Sequence, residues 1–381
     1  MTRDINILAV GYGRHLFDAE NFEHKRMECC TREVGQFHMI VFTRQTDKLH
    51  VLHSDNGLVL HPTNSKTRAH MFFDAIGISM SLLKNREGNW VVTAQDPFEA
   101  GLVAYIVALI YGVRLNIQEH GDVFSTSAWK RESLGNRFRY FVGRLLLKRA
   151  DTVRVVSKRT LSTMQNIGIP PEKIICLAVH TDVSVKKLDE PVTNLHKNCP
   201  KDTVIILSMA RFVPQKNLPL LIRAFAIVHA KVPHTRLVLV GAGPEEKILR
   251  ELVITHNLTE SVVFEPWTGT PAVYMQSADI YALSSNYEGW GRVLIEAMLA
   301  GKPVITTDVG CAGEVLINDV HGFVVPTGDM EAFATQLTLL AQEKGLRNSF
   351  GVRARKYALL EHTTIEEYAQ LWADVFHKTV G

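Results

Sequence analysis

The chain reads as an α/β protein made of two parallel-sheet halves, and three observations carry that reading. Short apolar runs rich in Val, Ile and Leu alternate with helical stretches through residues 5–177 and again through residues 204–340. That is the pattern of strands buried on both faces by crossover helices. Between the two series, residues 181–202 lose all periodicity and carry Lys186, Lys187, Asp189, Glu190, Pro191 and Pro200, the composition of an interdomain linker. Finally, residues 361–381 hold a separate amphipathic helix.

In the first half, the apolar run 5–10 ends in Gly11-Tyr12-Gly13, so a strand opens onto a glycine loop. A helix over 21–33 and a strand over 38–43 follow. Residues 51–53 and 58–61 read as two strands around the turn Asp55-Asn56-Gly57. The spacing then predicts helix 66–84, strand 90–93, a buried apolar helix 98–111, strand 114–119, strand 153–156, helix 158–166 and strand 173–177.

In the second half, strand 204–208 leads to a helix after Asn217 with Leu221, Ile222, Phe225 and Val228 on one stripe. Strand 236–241 precedes Pro244, expected in the first turn of a helix, where its missing N–H costs nothing. Strand 262–265, a short helix from Thr270-Pro271, and strands 280–284, 303–307 and 323–325 complete the series. Asp329 is placed to cap a helix carrying Phe333, Leu337 and Leu340. Thr364-Ile365-Glu366-Glu367 is a capping box, and Tyr368, Leu371, Trp372, Val375 and Phe376 recur behind it at helical spacing.

Bulk properties narrow the class. With 381 residues, 46% hydrophobic and 21% charged, the chain is long enough for two or three domains and excludes bulk disorder. A net charge of +3 implies no nucleic-acid partner. Five cysteines without a Cys-x-x-Cys pair point to a reducing cytosol. No secretory pattern and no membrane span are expected, since the longest uncharged apolar run, 100–113, falls short of the roughly 20 residues a span needs.

The most informative stretch is Glu288-Gly289-Trp290-Gly291-Arg292-Val293-Leu294-Ile295-Glu296, continuing to Gly301-Lys302-Pro303. It reads as a strand end, a polar loop, two glycines, then a helix that begins near Gly291 and stops at Gly301. Free N–H groups at such a helix mouth favour an anion, and glycines let a ligand approach the backbone. One carboxylate precedes the mouth and another lies inside the helix, which suits a ligand bearing both phosphate and hydroxyls.

In the frame Glu-Gly-Trp-Gly-x-x-x-x-Glu-Ala-Met-x-Ala-Gly-x-Pro-Val-Ile, this stretch resembles the signature of glycosyltransferase family 4. Those enzymes are retaining, use nucleotide sugars and adopt the GT-B fold. The resemblance covers nearly the whole carboxyl half in recognisable motifs, and mostly pattern over residues 1–180. It implies two Rossmann-like doubly wound domains with a cleft between them. Residues 1–180 would bind acceptor and 203–360 the nucleotide sugar, with residues 361–381 returning onto the first domain.

By the same resemblance, Arg211 and Lys216, in Arg-Phe-Val-Pro-Gln-Lys-Asn after a strand, hold the donor pyrophosphate. Two fixed cations there also stabilise charge growing on the leaving phosphate. The family more often has Glu-Lys-Gly where this chain has Gln215-Lys216-Asn217. Glu288 would accept from donor-sugar hydroxyls, beside Gly289, Trp290, Gly291 and Arg292. Glu296 would accept from the ribose diol, which a two-oxygen carboxylate matches. His120, at a strand end in Glu119-His120-Gly121-Asp122, would face the donor sugar, with Asp122 nearby. Gly11 and Gly13 would line the phosphate or acceptor side, and Gly243, in Gly241-Ala242-Gly243-Pro244, the nucleotide. Each also has a structural reading, as a plain turn, a core histidine or a solvated loop charge.

No Asp-x-Asp, His-x-x-x-His or Cys-x-x-Cys occurs, so no metal and no other cofactor is expected. The expected partners are a nucleotide-sugar donor and a glycan or lipid-linked acceptor. Residues 130–149 hold Lys130, Arg131, Arg137, Arg139, Arg144, Lys148 and Arg149 against Glu132. A basic amphipathic helix of that kind fits an anionic membrane surface; it equally fits an outer helix whose Phe138, Val142, Leu145 and Leu146 pack on the sheet. The expected location is cytoplasmic, peripheral on the membrane in the first case. Rival readings are a nucleotide-sugar epimerase of the same fold and a non-catalytic nucleotide-sugar-binding protein. A dehydrogenase is disfavoured, because no third glycine follows Gly243.

Overall fold

A computed structural model of the chain describes residues 5–181, 194–197, 199–268, 271–361 and 363–381. Two compact units emerge, Met1–His180 with Thr363–Gly381, and Thr181–His362. Most of the expected linker, and Thr270, lie outside the described residues.

The first unit is built on an eight-stranded sheet. Its strands are β1 (Ile5–Gly11), β2 (Phe37–Val41), β3 (Leu52–His53), β4 (Leu58–Pro62), β5 (Asn89–Ala94), β6 (Arg114–Glu119), β7 (Thr152–Val155) and β8 (Ile174–Cys176). They lie in the order β3-β4-β2-β1-β5-β6-β7-β8, all parallel except the β3–β4 hairpin. The connecting helices are α1 (Phe22–Thr31), α2 (Arg68–Leu83), α3 (Glu99–Tyr111), α4 (Ala128–Glu132), α5 (Leu134–Arg149) and α6 (Lys158–Asn166). From β1 the chain moves to β2 on one side and later to β5 on the other, so strand order reverses there. Ligands of open α/β sheets bind outside the carboxyl ends of strands at such a point.

The second unit repeats the plan. It runs β9 (Val204–Met209), α7 (Leu218–Lys231), β10 (Thr235–Val240), α8 (Glu246–Thr255), β11 (Val262–Glu265) and α9 (Pro271–Ser277). Then come β12 (Ile280–Leu283), α10 (Arg292–Leu299), β13 (Val304–Thr307), β14 (Gly322–Val325), α11 (Met330–Gln342) and α12 (Lys344–Leu360). The sheet order is β11-β10-β9-β12-β13-β14, parallel throughout, with the reversal between β9 and β12. Leu221, Ile222, Phe225 and Val228 of α7 are all buried against the sheet with Phe333, Leu337 and Leu340 of α11. Asp329 caps α11 by accepting from Ala332 N at 2.9 Å.

The last helix, α13 (Ile365–Val380), belongs to the first unit. Its capping box forms in both directions between Thr364 and Glu367. Tyr368, Trp372 and Phe376 enter the core beneath β1, β2 and β4. Leu371, expected on the same stripe, is exposed.

Three expectations need correction. Pro244 precedes α8 rather than sitting in its first turn, because Glu245 takes the cap position and donates its N–H to Phe212 O. On α5, Phe138 and Leu145 are exposed rather than packed inward; Gly143, Leu146 and Leu147 are the buried residues. The third concerns α12, a helix the apolar pattern does not announce. Its buried face is Phe350 with Gly351, Ala354 and Ala358, and the three small residues leave little hydrophobic signal around the single aromatic one. Gly351 is there because its backbone meets the carbonyl of Gly301, leaving no room for a Cβ.

Candidate functional site

At the reversal point of the second unit, the loops leaving β9 and β12 are laced together. Asn286 N donates to Gln215 O at 2.8 Å and Asn286 Nδ2 to Pro214 O at 2.9 Å. Asn217 Nδ2 donates to Asn286 Oδ1 at 3.0 Å, and Gln215 Nε2 to Tyr287 O at 3.1 Å. Asn217 sits at φ 44°, in the left-handed region that Asn tolerates better than other side chains. That accounts for Asn where the family more often has Gly.

This lacing brings Lys216 onto Glu288. The ammonium pairs with Glu288 Oε1, and the same oxygen accepts from Ser285 Oγ at 2.6 Å. Both charged side chains are nearly covered, 14% exposed for Lys216 and 10% for Glu288. Arg211 begins the same loop and is exposed. Beside the pair, α10 starts at Gly291, whose φ of 78° turns the chain into the helix without a side-chain cap. The positive end of the helix dipole at such a start favours an anion. Arg292 is the first residue of α10 and Gly289 is buried in the loop before it. The Trp290 ring packs against the neighbouring core while its carbonyl accepts from Cys311 N at 2.8 Å.

Glu296 lies one turn into α10 and is part-exposed. The buried hydroxyl of Tyr281, bonded to Met209 at the end of β9, has its pKa pushed up by burial and further by Glu296 and Glu288. Both carboxylates therefore converge on the carboxyl ends of β9 and β12. Gly243 packs tightly against the loop that follows β9. A Cβ there would stand 2.7 and 2.8 Å from the backbone C and N of Phe212. The residue is glycine so that its loop can press against the one carrying Arg211.

In the first unit, Gly11 abuts the Gln95 side chain, so the loops after β1 and β5 also meet at a reversal point. Gly13 packs on Leu16, and a Cβ there would approach Leu16 Cδ1 to 2.9 Å. His120, just past β6, lies 2.9 Å through Nε2 from Gln118 Oε1. Burial, then the guanidiniums of Arg154 and Arg26, push its pKa down to about 3, so the imidazole is neutral. Asp122 is only 2% exposed, and its Oδ1 accepts from Thr163 Oγ1 at 3.2 Å. Its carboxyl serves the β6–α6 packing rather than an open surface.

Several further polar groups, beyond the candidate residues of the sequence, are buried in this unit. Glu119 accepts from Gly121 N at 2.9 Å, and burial raises its pKa to about 7. Asp96 caps α3 through Phe98 N at 2.8 Å, and burial raises its pKa to about 6. Arg154 is 3% exposed in β7. The available signal is a polar residue inside an apolar strand run, since such a residue needs partners when buried.

Known proteins agree with this architecture. The capsular polysaccharide biosynthesis glycosyltransferase CapM of Staphylococcus aureus is 26% identical over 292 residues, 73% of this chain and 74% of that protein. The N-acetyl-alpha-D-glucosaminyl L-malate synthase of Bacillus anthracis is 25% identical, covering 79% of each chain. Sucrose-phosphate synthase from Thermosynechococcus elongatus superposes with a TM-score of 0.80 at 20% identity, over 98% of this chain and 99% of that one. Anabaena HepE, solved with UDP and glucose, gives 0.74 at 18% identity with the same coverage. These place the fold in the GT-B class of paired Rossmann-like sheets. The family model for glycosyl transferases group 1 matches residues 165–357, just over half of the chain and all of the loops laced around Lys216 and Glu288: the protein belongs to that family and is a glycosyltransferase.

Proposed function

We propose that the enzyme transfers a hexose-type sugar from a UDP- or GDP-linked donor to a hydroxyl of a glycan or lipid-linked acceptor, retaining the α configuration and using no metal. The observation that carries this reading is the Lys216–Glu288 pair at the uncapped start of α10, with Arg211 in the same loop. Arg211, Lys216 and the first N–H groups of α10 hold the pyrophosphate. Glu288 accepts from sugar hydroxyls and Glu296 from the ribose diol. As the glycosidic bond to phosphate breaks, the two cations stabilise the oxyanion that forms. The acceptor attacks from the leaving-group face, and the departing phosphate oxygen takes its proton. His120, being neutral, contacts the donor sugar by hydrogen bonding and carries no charge to it.

The relatives support the donor and acceptor classes. HepE was solved with UDP-glucose, and a Mycolicibacterium smegmatis relative, 29% identical over 57% of this chain, is named a GDP-mannose-dependent phosphatidylinositol monomannoside mannosyltransferase. A thermal-shift panel of nucleoside diphosphates and their sugars tests the reading, with Glu296→Ala as control. Stabilisation of the wild type by one base, lost in the variant, is expected. No stabilisation by any of them would remove the central claim. NMR of the anomeric centre in the product decides retention.

The same proposal places the enzyme peripherally on the cytoplasmic face of an anionic membrane. One observation favours it: Leu134, Phe138, Phe141 and Leu145 form a stripe along α5 that is exposed, at 78, 71, 70 and 48%. Arg137, Lys148 and Arg149 are exposed on the same helix. Apolar side chains enter the headgroup boundary while cations meet lipid phosphates. Among the described residues no helix is long and apolar enough to cross a membrane.

A further inference from the structure

Arg154 is a buried cation in an apolar strand, and it sets the direction of a chain of hydrogen bonds. A guanidinium has donors and no acceptor. Its Nη1 lies 2.9 Å from Gln118 Oε1 and its Nη2 2.9 Å from the Tyr368 hydroxyl of α13. Gln118 must therefore turn its oxygen toward Arg154 and its amide nitrogen away. That nitrogen donates to Thr93 Oγ1 at 3.0 Å, and Thr93 in turn donates to Asn116 Oδ1 at 2.8 Å. Asn116 Nδ2 donates to Thr152 Oγ1 at 2.9 Å. The Thr152 hydroxyl then donates to Thr379 Oγ1 at 2.6 Å, and Thr379 to the Val375 carbonyl at 2.7 Å. Reversing the Gln118 amide would set an N–H against the guanidinium, and reversing Asn116 would leave the single Thr152 proton to serve both Asn116 and Thr379, so only one polarity satisfies every atom.

The oxygen that faces Arg154 also faces His120 Nε2, 2.9 Å away. A carbonyl oxygen accepts and cannot donate, so the hydrogen sits on Nε2 and the lone pair on Nδ1. A partner on one ring nitrogen decides what the other can do. We propose that Arg154 and Gln118 are positioning residues that hold His120 as the Nε2–H tautomer, so that Nδ1 accepts a hydrogen bond from a sugar hydroxyl. The depressed pKa of His120 agrees, since the neutral ring is the one that has a lone pair to offer. The contact with sugar rests on the function proposed above; the tautomer does not. A ring locked this way selects a sugar with an O–H at the contacted carbon and discriminates against a deoxy or O-methyl analogue.

The test is 15N NMR of the imidazoles in the full chain, with His120→Gln assigning the resonance. The expected result is a protonated Nε2 and an unprotonated Nδ1 in the wild type. Gln118→Leu should convert His120 to a tautomer mixture, and Gln118→Glu, which still accepts from both neighbours, should restore the wild-type pattern. Release of nucleoside diphosphate from UDP-glucose and GDP-mannose is measured alongside. It should fall about 10- to 100-fold in kcat/KM for Gln118→Leu and recover in Gln118→Glu. An Nδ1–H tautomer in the wild type overturns the proposal whether or not Gln118→Leu folds. So does a Gln118→Leu spectrum matching wild type. An Nε2–H tautomer combined with a fully active His120→Ala would instead refute the sugar contact, separating the two failures.

Discussion

Lys216 and Glu288 stand 72 positions apart in sequence and form one ion pair, closed by Ser285 on the same carboxylate oxygen. Each is the chief neutralising charge for the other in a nearly covered place. Removing one partner leaves the other buried and uncompensated, which costs several times more than the pair itself contributes.

The first prediction is therefore a non-additive pair. Lys216→Met or Glu288→Gln alone should lower unfolding stability by about 1–3 kcal/mol, and the double variant by less than the sum. All three should lose donor turnover by about 100-fold or more, since the proposed phosphate cation or sugar acceptor is gone. Denaturant unfolding of the four proteins gives the coupling energy; strict additivity would show that the pair contributes nothing.

A second prediction concerns pH. Burial raises the Glu119 carboxyl to about 7 from an ordinary 4.5, although Gly121 N–H and Val123 N–H pull the other way. A carboxyl whose folded pKa lies above its unfolded value binds more protons in the folded state between those values. Stability is then lost as pH rises from about 4.5 through about 7, at no more than about 1.4 kcal/mol per pH unit. Glu119→Gln keeps the acceptor for both N–H groups and cannot ionise. Its stability relative to wild type should climb from about pH 5 to about pH 7 and level off above. Parallel stability curves would show that Glu119 ionises as freely folded as unfolded.

Gly243→Ala should be destabilising, by about 1–3 kcal/mol, because the new methyl meets the Phe212 backbone rather than a movable side chain. The shift passes to the adjacent Arg211, so affinity for nucleoside diphosphate should fall as well. Gly345→Ala is the control: it lies in α12 with nothing within 4 Å of its Cβ position. There the substitution should stabilise by about 0.5–1 kcal/mol. Thermal melts with and without UDP and GDP read both effects.

The exposed stripe on α5 makes the fourth prediction. Phe138→Ser with Phe141→Ser should leave the melting temperature within error, since both side chains are about 70% exposed, yet reduce co-sedimentation with phosphatidylglycerol vesicles at low salt. High salt should release the wild type, because the cationic share of such binding is screened. Wild-type protein that stays in the supernatant at low salt would eliminate the membrane role.

Much of this fold can be read from the chain because its strands are apolar on both faces and its caps are explicit. Asn21, Thr364 and Asp329 each cap the helix their side chains announce. Helix α12 escapes for the opposite reason: Gly351, Ala354 and Ala358 bury backbone against backbone with little apolar area. The loops carrying Arg211, Lys216, Glu288 and Glu296 are legible as a motif. The pairing of Lys216 with Glu288 is not, since it depends on which two loops meet where strand order reverses. Arg154 is visible only as an oddity in Thr152-Val153-Arg154-Val155; its partners come from β6, from α13 and from Leu177 just past β8.

The placement of α13 has a consequence for synthesis. Tyr368, Trp372 and Phe376 fill the core beneath β1, β2 and β4, and the Tyr368 hydroxyl anchors Arg154. A ribosome that has finished the eight-stranded sheet has not yet made the side chains that seal it. The second unit, Thr181–His362, is translated in between and can fold first. The amino-terminal sheet must wait, with one face open, until the final helix leaves the exit tunnel. A chain ending before Ile365 would thus have a well-formed carboxyl unit joined to an unsealed amino-terminal one.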